Sequence, residues 1–199
     1  IVLPFSFFLF FGKRKLSDTV LVEKNGVLNS VLLVFAGLAV SVLMNIPANL
    51  ISQLLEGAGL NGDANTADLL AMTPVQALTM FVSVVLVAPV TEEFAFRSVT
   101  TAVMRRWGDW PAVIFSALIF GMAHYSIQSL PVVLMAGFVM ALLYVRTRNI
   151  WVNIFVHMLN NLLATLPIAL EGLVGADAAN IASNLLTYIV YGLGLIALV

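Results

Sequence analysis

An all-α, polytopic membrane bundle of about seven spans is what this sequence predicts, and three observations carry the prediction. Of the 199 residues, 61% are hydrophobic and 10% charged, against roughly 25% charged in a soluble domain. Mean hydropathy is +1.05, and the apolar residues fall in runs of the roughly 17–25 residues a helix needs to cross a bilayer. The bases are also clustered. Eight of the nine lie in three places: Lys13, Arg14, Lys15 and Lys24; Arg105 and Arg106; Arg146 and Arg148. The length suits one transmembrane domain over residues 1–199, with no room for a separate soluble one. A net charge of -1 gives no sign of nucleic-acid binding, and the absence of cysteine excludes thiol nucleophiles and disulfides.

Seven spans are expected: 1–12 (partial), 27–51, 74–104, 110–126, 129–146, 150–170 and 181–199. The first begins at Ile1 without a methionine, so upstream residues are expected to be missing. It reads as a truncated span rather than a signal-peptide core, because Lys13-Arg14-Lys15 follows it instead of a small-residue cleavage site. Between the second and third spans, 52–73 is the one sizeable polar loop, with Gly57, Gly59, Asn61, Gly62, Asp63 and Asn65. The stretch 74–104 is too long for one straight crossing, and Pro89 is where it is expected to bend or break. Pro47, Pro131 and Pro167 fall in or near other spans, where membrane helices tolerate them.

Orientation follows from the bases. Loops 52–73, 127–128 and 171–180 contain none and carry Glu56, Asp63, Asp68, Glu171 and Asp177 instead. The positive-inside rule then makes the three basic loops cytoplasmic, and seven spans alternate without conflict. Trp107, Trp110 and Trp151 flank those loops, as an interfacial aromatic belt requires. The compact chain is expected in the cytoplasmic (plasma) membrane of a prokaryote.

The ninth base, Arg97, lies inside a span, as do Glu92, Glu93 and both histidines, His124 and His157. Titratable groups in hydrocarbon are costly and mark functional sites or internal pairs. At 1.5 Å per residue, Glu92 lies about 21 Å in from Arg106, His124 about 22 Å from Asp109, and His157 and Asn161 about 12 and 18 Å from Asn149. In a core roughly 30 Å thick, three helices thus place polar groups at similar depths. Each group has a structural reading of its own. Glu93 and Arg97, spaced i to i+4, can neutralise each other. His124 can bond a backbone carbonyl, and His157 can pair through Asn153, Asn160 or Asn161. Glu92 is different: about 100° around the helix from Glu93, it is left without a dedicated cation. Two histidines, two carboxylates and an amide are more chemical variety than packing requires.

These residues resemble the motifs of a known family. Glu92-Glu93-Phe94-Ala95-Phe96-Arg97 resembles the E-E-x-x-x-R motif of the CPBP intramembrane proteases, the CAAX-protease and bacteriocin-processing (Abi) proteins related to the eukaryotic Ras-converting endopeptidase. Phe120-Gly121-Met122-Ala123-His124 is similar to its F-x-x-x-H motif, and His157-Met158-Leu159-Asn160-Asn161 to its H-x-x-x-N motif. Order and spacing agree over roughly residues 75–165; Ser98 departs from the glycine many members carry after the arginine. The resemblance implies an eight-helix or similar membrane fold with a cavity open to the cytoplasm. It also implies that Glu92, Glu93, Arg97, His124, His157 and Asn161 form the catalytic site. Glu92 and His124 would activate a water, and His157 and Asn161 would bind an oxyanion.

That chemistry is physically reasonable. Glu92 can take a proton from water, His124 can orient the water and protonate a leaving amine, and neutral His157 with the Asn161 amide can offer N–H donors. No G-x-S-x-G or similar motif supports a covalent nucleophile. Glu92, His124 and His157 would also make a two-histidine, one-carboxylate zinc set. There is no H-E-x-x-H helix and no obvious carboxylate behind either histidine, so no cofactor is expected to be required, with zinc the alternative. The expected activity is hydrolysis of a peptide bond in a membrane-associated protein or peptide, CAAX-type or bacteriocin-related. The partners are that substrate and the lipid bilayer. The alternative is a non-catalytic bacteriocin-immunity or peptide-binding membrane protein. A proton-coupled transporter is disfavoured by the lack of an inverted repeat.

Overall fold

The computed structural model describes Ser6, Phe10 and residues 15–60 and 73–199. The expected span 1–12 and residues 61–72 of the polar loop lie outside that set. A short helix α1 (Leu16–Thr19) precedes α2 (Val27–Gly57). Helix α3 runs over 74–104, followed by α4 (Asp109–Met122), α5 (Leu130–Thr147), α6 (Ile150–Val174) and α7 (Ala176–Ala197). Five described helices are long and apolar enough to cross a membrane, and α4 is a shorter apolar helix. The polytopic all-α bundle is therefore what the chain forms.

Local chemistry sets the helix ends. Thr73 and Gln76 close a capping box ahead of Pro74 at the start of α3, which satisfies two otherwise orphaned N–H groups. Asn149 caps α6 by accepting from the Trp151 N–H at 3.0 Å. Arg148, at φ 50°, turns the chain out of α5.

Helix α3 does not break at Pro89. It is α-helical over Pro74–Phe81, π-helical over Val82–Val87, α-helical over Ala88–Glu92, π-helical over Glu93–Thr100 and α-helical again over Thr101–Met104. Proline has no N–H to give to the preceding turn, and the wider turns on either side of Pro89 keep the helix continuous. Side chains pick up the spare carbonyls. Thr100 and Thr101 donate to the carbonyls of Ala95 and Phe96, five residues back, and Ser116 of α4 donates to Phe96 at 2.7 Å. Such π turns recur at functional sites.

The second departure concerns α4, which stops at Met122 rather than 126. Its last turn tightens, His124 N–H bonding the Gly121 carbonyl at 3.2 Å, and Tyr125 adopts φ 52°. His124 thus lies in the turn beyond the helix, not within it.

The core gathers Leu38 of α2, Phe96 of α3, Phe120 of α4, Met140 of α5, and Val152 and Val156 of α6. Close helix approach needs glycine at two places. A Cβ on Gly194 would meet the Phe35 carbonyl oxygen of α2 at 2.5 Å, and one on Gly137 would meet Phe120 at 2.9 Å. The segment before α2 is strapped to the α5–α6 turn. Val22 pairs with Asn149, Glu23 N–H donates to the Arg148 carbonyl at 2.9 Å, and the Arg148 guanidinium meets the Glu23 carboxylate at 2.7 Å. The buried Tyr144 hydroxyl accepts from Leu21 N–H and donates to the Thr19 carbonyl, both at 3.1 Å. The strap brings basic residues to one end of the bundle: Arg105 and Arg148 border one small cavity, Lys24 and Arg146 another.

Candidate active site

Both adjacent glutamates meet the His157 ring. Glu93 opens the second π-helical stretch of α3 and is fully buried. Its Oε1 lies 2.8 Å from His157 Nδ1. Its Oε2 accepts from Asn153 Nδ2 at 3.3 Å and lies 3.2 Å from Arg97 Nε, also fully buried. The guanidinium sits 4.2 Å above the Phe120 ring, a cation–π contact that helps a dry cation. Arg97 Nη2 reaches the Gly137 carbonyl at 3.5 Å. Asn153 is held in turn by the Met140 carbonyl, at 2.6 Å. Glu93 is thus paired and oriented from three sides, as a buried charge must be.

Glu92 stands on the other side of the same ring. Its Oε2 is 3.7 Å from His157 Nε2, and its side chain keeps some exposure, 15%, where Glu93 has none. The adjacent glutamates therefore differ: one is locked into the core, and the other keeps a small exposure and meets His157 more loosely. The expected Glu93–Arg97 pair is present, and Glu92 makes no such direct pair with Arg97 among the described residues. Glu93 does more than neutralise, however, because it also fixes His157. The expectation that no carboxylate backs either histidine is thereby overturned: α6 packs against the start of the π turn, and that places Glu93 on Nδ1.

The ring's proton count follows. With Nδ1–H given to Glu93, a neutral ring presents a lone pair at Nε2, and only the imidazolium offers an N–H there. An oxyanion donor at Nε2, expected of a neutral His157, thus requires the protonated ring.

His124 packs against Phe120 from the turn after α4. Its ring centroid is 4.7 Å from that of Phe120, which lies 5.8 Å from His157 on an edge-on contact. His124 Nδ1 is 2.9 Å from the Phe120 carbonyl, which leaves Nε2 outward, and the side chain is exposed. The carbonyl bond foreseen for His124 is present. Asn161 is one turn beyond His157 on α6, and its amide donates to the Val84 carbonyl at 2.9 Å, pinning the first π-helical stretch. One of its two N–H groups is therefore already committed.

Asn153 was legible in the sequence only as a packing partner of His157. The signal for a larger role was the i, i+4 stripe Asn153, His157, Asn161, three polar groups on one face of an apolar helix. As for a metal, Glu92 and His157 Nε2 are close enough to share a ligand, and Glu93 backs the ring as a metal-orienting carboxylate does. Yet no three His, Asp or Glu side chains converge as a metal cradle among the described residues. The three-ligand zinc set Glu92, His124, His157 does not fit this arrangement.

Comparison with known proteins bears on the same segment. The family model described as "Type II CAAX prenyl endopeptidase Rce1-like" matches residues 74–163. A Bacillus subtilis (strain 168) protein named "Putative membrane peptidase YdiL" is 31% identical over 140 residues, covering 70% of this chain and 57% of that protein. The chain thus spans little more than half the length of this relative. No solved structure matches it. The family match runs from the capping box of α3 to just past Asn161, and so encloses every residue of the three motifs. The chain belongs to the CPBP family of CAAX-protease-like membrane proteins.

Proposed function

We propose that this chain is an intramembrane endopeptidase that hydrolyses a peptide bond of a membrane-associated protein or peptide with a water activated on Glu92. The observation that carries the reading is the division of labour at His157. Glu93, itself held by Arg97 and Asn153, fixes the ring at Nδ1, while Glu92 approaches Nε2 at 3.7 Å and keeps 15% of its side chain exposed. A partly exposed carboxylate beside an oriented imidazole is suited to take a proton from water. His124, with Nε2 outward, serves as acid for the leaving amine. The imidazolium form of His157 and the uncommitted Asn161 N–H can stabilise the oxyanion.

The length of α4 supports access of water to this depth. Helix α4 has 14 residues and rises about 21 Å, less than the roughly 30 Å of a hydrocarbon core. Non-helical backbone at such depth is tolerated where it lines a water-filled cavity, and the exposed His124 and Tyr125 are in that turn. We assign the basic end to the cytoplasm on the positive-inside rule, in a prokaryotic plasma membrane.

The test is cleavage of a panel of hydrophobic and prenylated peptides by the purified chain, its Glu92→Ala and His124→Ala variants alongside. Cleavage by wild type that both variants lose supports the reading. Equal residual cleavage in the variants, or none by any form, rejects it. Activity that persists after exhaustive chelation, in protein free of zinc by elemental analysis, answers the metal question.

A further inference from the structure

Away from the site, a cavity of about 720 Å³ opens at the basic end of the bundle, between the starts of the strap and α2 and the ends of α5 and α7. Two cations, Lys24 and Arg146, stand at its rim, and both are exposed. Glu23, the one acid in the lining, is taken up by Arg148 at 2.7 Å. No ion pair engages Lys24 or Arg146 among the described residues; Asn29 adds an amide beside them, while Asn25 Nδ2 donates to the Thr147 carbonyl at 3.4 Å. Further along α2 and one turn back on α5, the wall changes character to Leu32, Leu33, Ala36 and Leu143. Glu23, Lys24 and Asn25 also border a second cavity of about 680 Å³, whose far wall is hydrocarbon from Val34, Phe35, Phe155 and Leu159.

A cationic rim over an apolar interior suits a ligand with a phosphate at one end and hydrocarbon at the other. Basic pockets between helices at the headgroup level recognise such molecules, and each cation attracts an anionic membrane surface. A free phosphate would use the rim alone and leave the leucines facing water. We propose that this cavity binds the headgroup of an anionic phospholipid. Lys24 and Arg146 contact the phosphate, and Leu32, Leu33, Ala36 and Leu143 receive the glycerol and first methylenes. The site is separate from His157 and its partners and does not depend on the proposed activity.

The experiment is native mass spectrometry of the detergent-purified chain titrated with phosphatidylglycerol, phosphatidylcholine or inorganic phosphate. Wild type is expected to prefer phosphatidylglycerol over phosphatidylcholine by about tenfold and to retain no inorganic phosphate. Lys24→Gln/Arg146→Gln should lose that preference, whereas the control Lys15→Gln/Arg106→Gln, which removes the same charge elsewhere at this end, should keep it. Ala36→Phe, which fills the apolar interior and leaves both cations, should also lose it. Four results would each overturn the proposal: no preference in wild type, an undiminished preference in Lys24→Gln/Arg146→Gln or Ala36→Phe, an equal loss in the control, or retention of inorganic phosphate as strong as that of the lipid.

Discussion

Glu92 and Glu93 are neighbours in sequence and opposites in setting, and the contrast yields separable predictions. Glu93 and Arg97 are both fully buried and pair at 3.2 Å. Removing one partner of such a pair leaves an uncompensated charge and typically costs about 3–5 kcal/mol. Arg97→Met should therefore lower the unfolding midpoint in detergent sharply, and a midpoint within a degree of wild type would refute the pairing. Asn153→Ala removes a donor that Glu93 shares with Met140; a loss of roughly 1–3 kcal/mol is expected for a buried acceptor deprived of a partner. The acidic pair, the arginine, both histidines and Asn161 were all readable in the sequence, because charge and amide in apolar runs stand out. What Glu93 does was not readable. Its bond to His157 bridges 64 positions of chain, and nothing in the spacing says which glutamate faces the ring's Nδ1.

The helices show where reading by composition reaches its limit. Five spans were found to within six residues at either end, since a long apolar run in lipid has little choice but helix. The course of α3 and the end of α4 were not found. Hydropathy cannot tell an α turn from a π turn, and Val82–Val87 and Glu93–Thr100 are equally compatible with both. Likewise Ala123 and His124 carry no breaker, and the helix ends there as its last turn tightens and the exposed Tyr125 takes a left-handed backbone. Close helix approach gives the prediction at this scale. Gly194→Val places a methyl-bearing carbon where the Phe35 carbonyl already lies, 2.5 Å from the new Cβ. Overpacking of this kind costs about 1–3 kcal/mol, so thermal stability should fall, whereas Gly192→Val, whose Cβ meets nothing within 4 Å, should be neutral. Equal effects at the two positions would contradict the packing of α7 on α2.

For the whole molecule, orientation and activity remain to be joined. The chain has no cysteine, so single cysteines report sidedness cleanly. Ser17→Cys at the basic end should react with an impermeant thiol reagent only from the cytoplasm, and Asp177→Cys, in the first turn of α7, only from outside; the reverse pattern would invert the bundle. The central claim is that Glu92 acts on water while Glu93 holds His157, and turnover measured beside thermal stability tests it most directly. Glu92→Gln should lower kcat by about 10²–10⁴-fold with the unfolding midpoint unchanged, while Glu93→Gln should lower both. A Glu92→Gln enzyme that turns over within threefold of wild type would contradict the account.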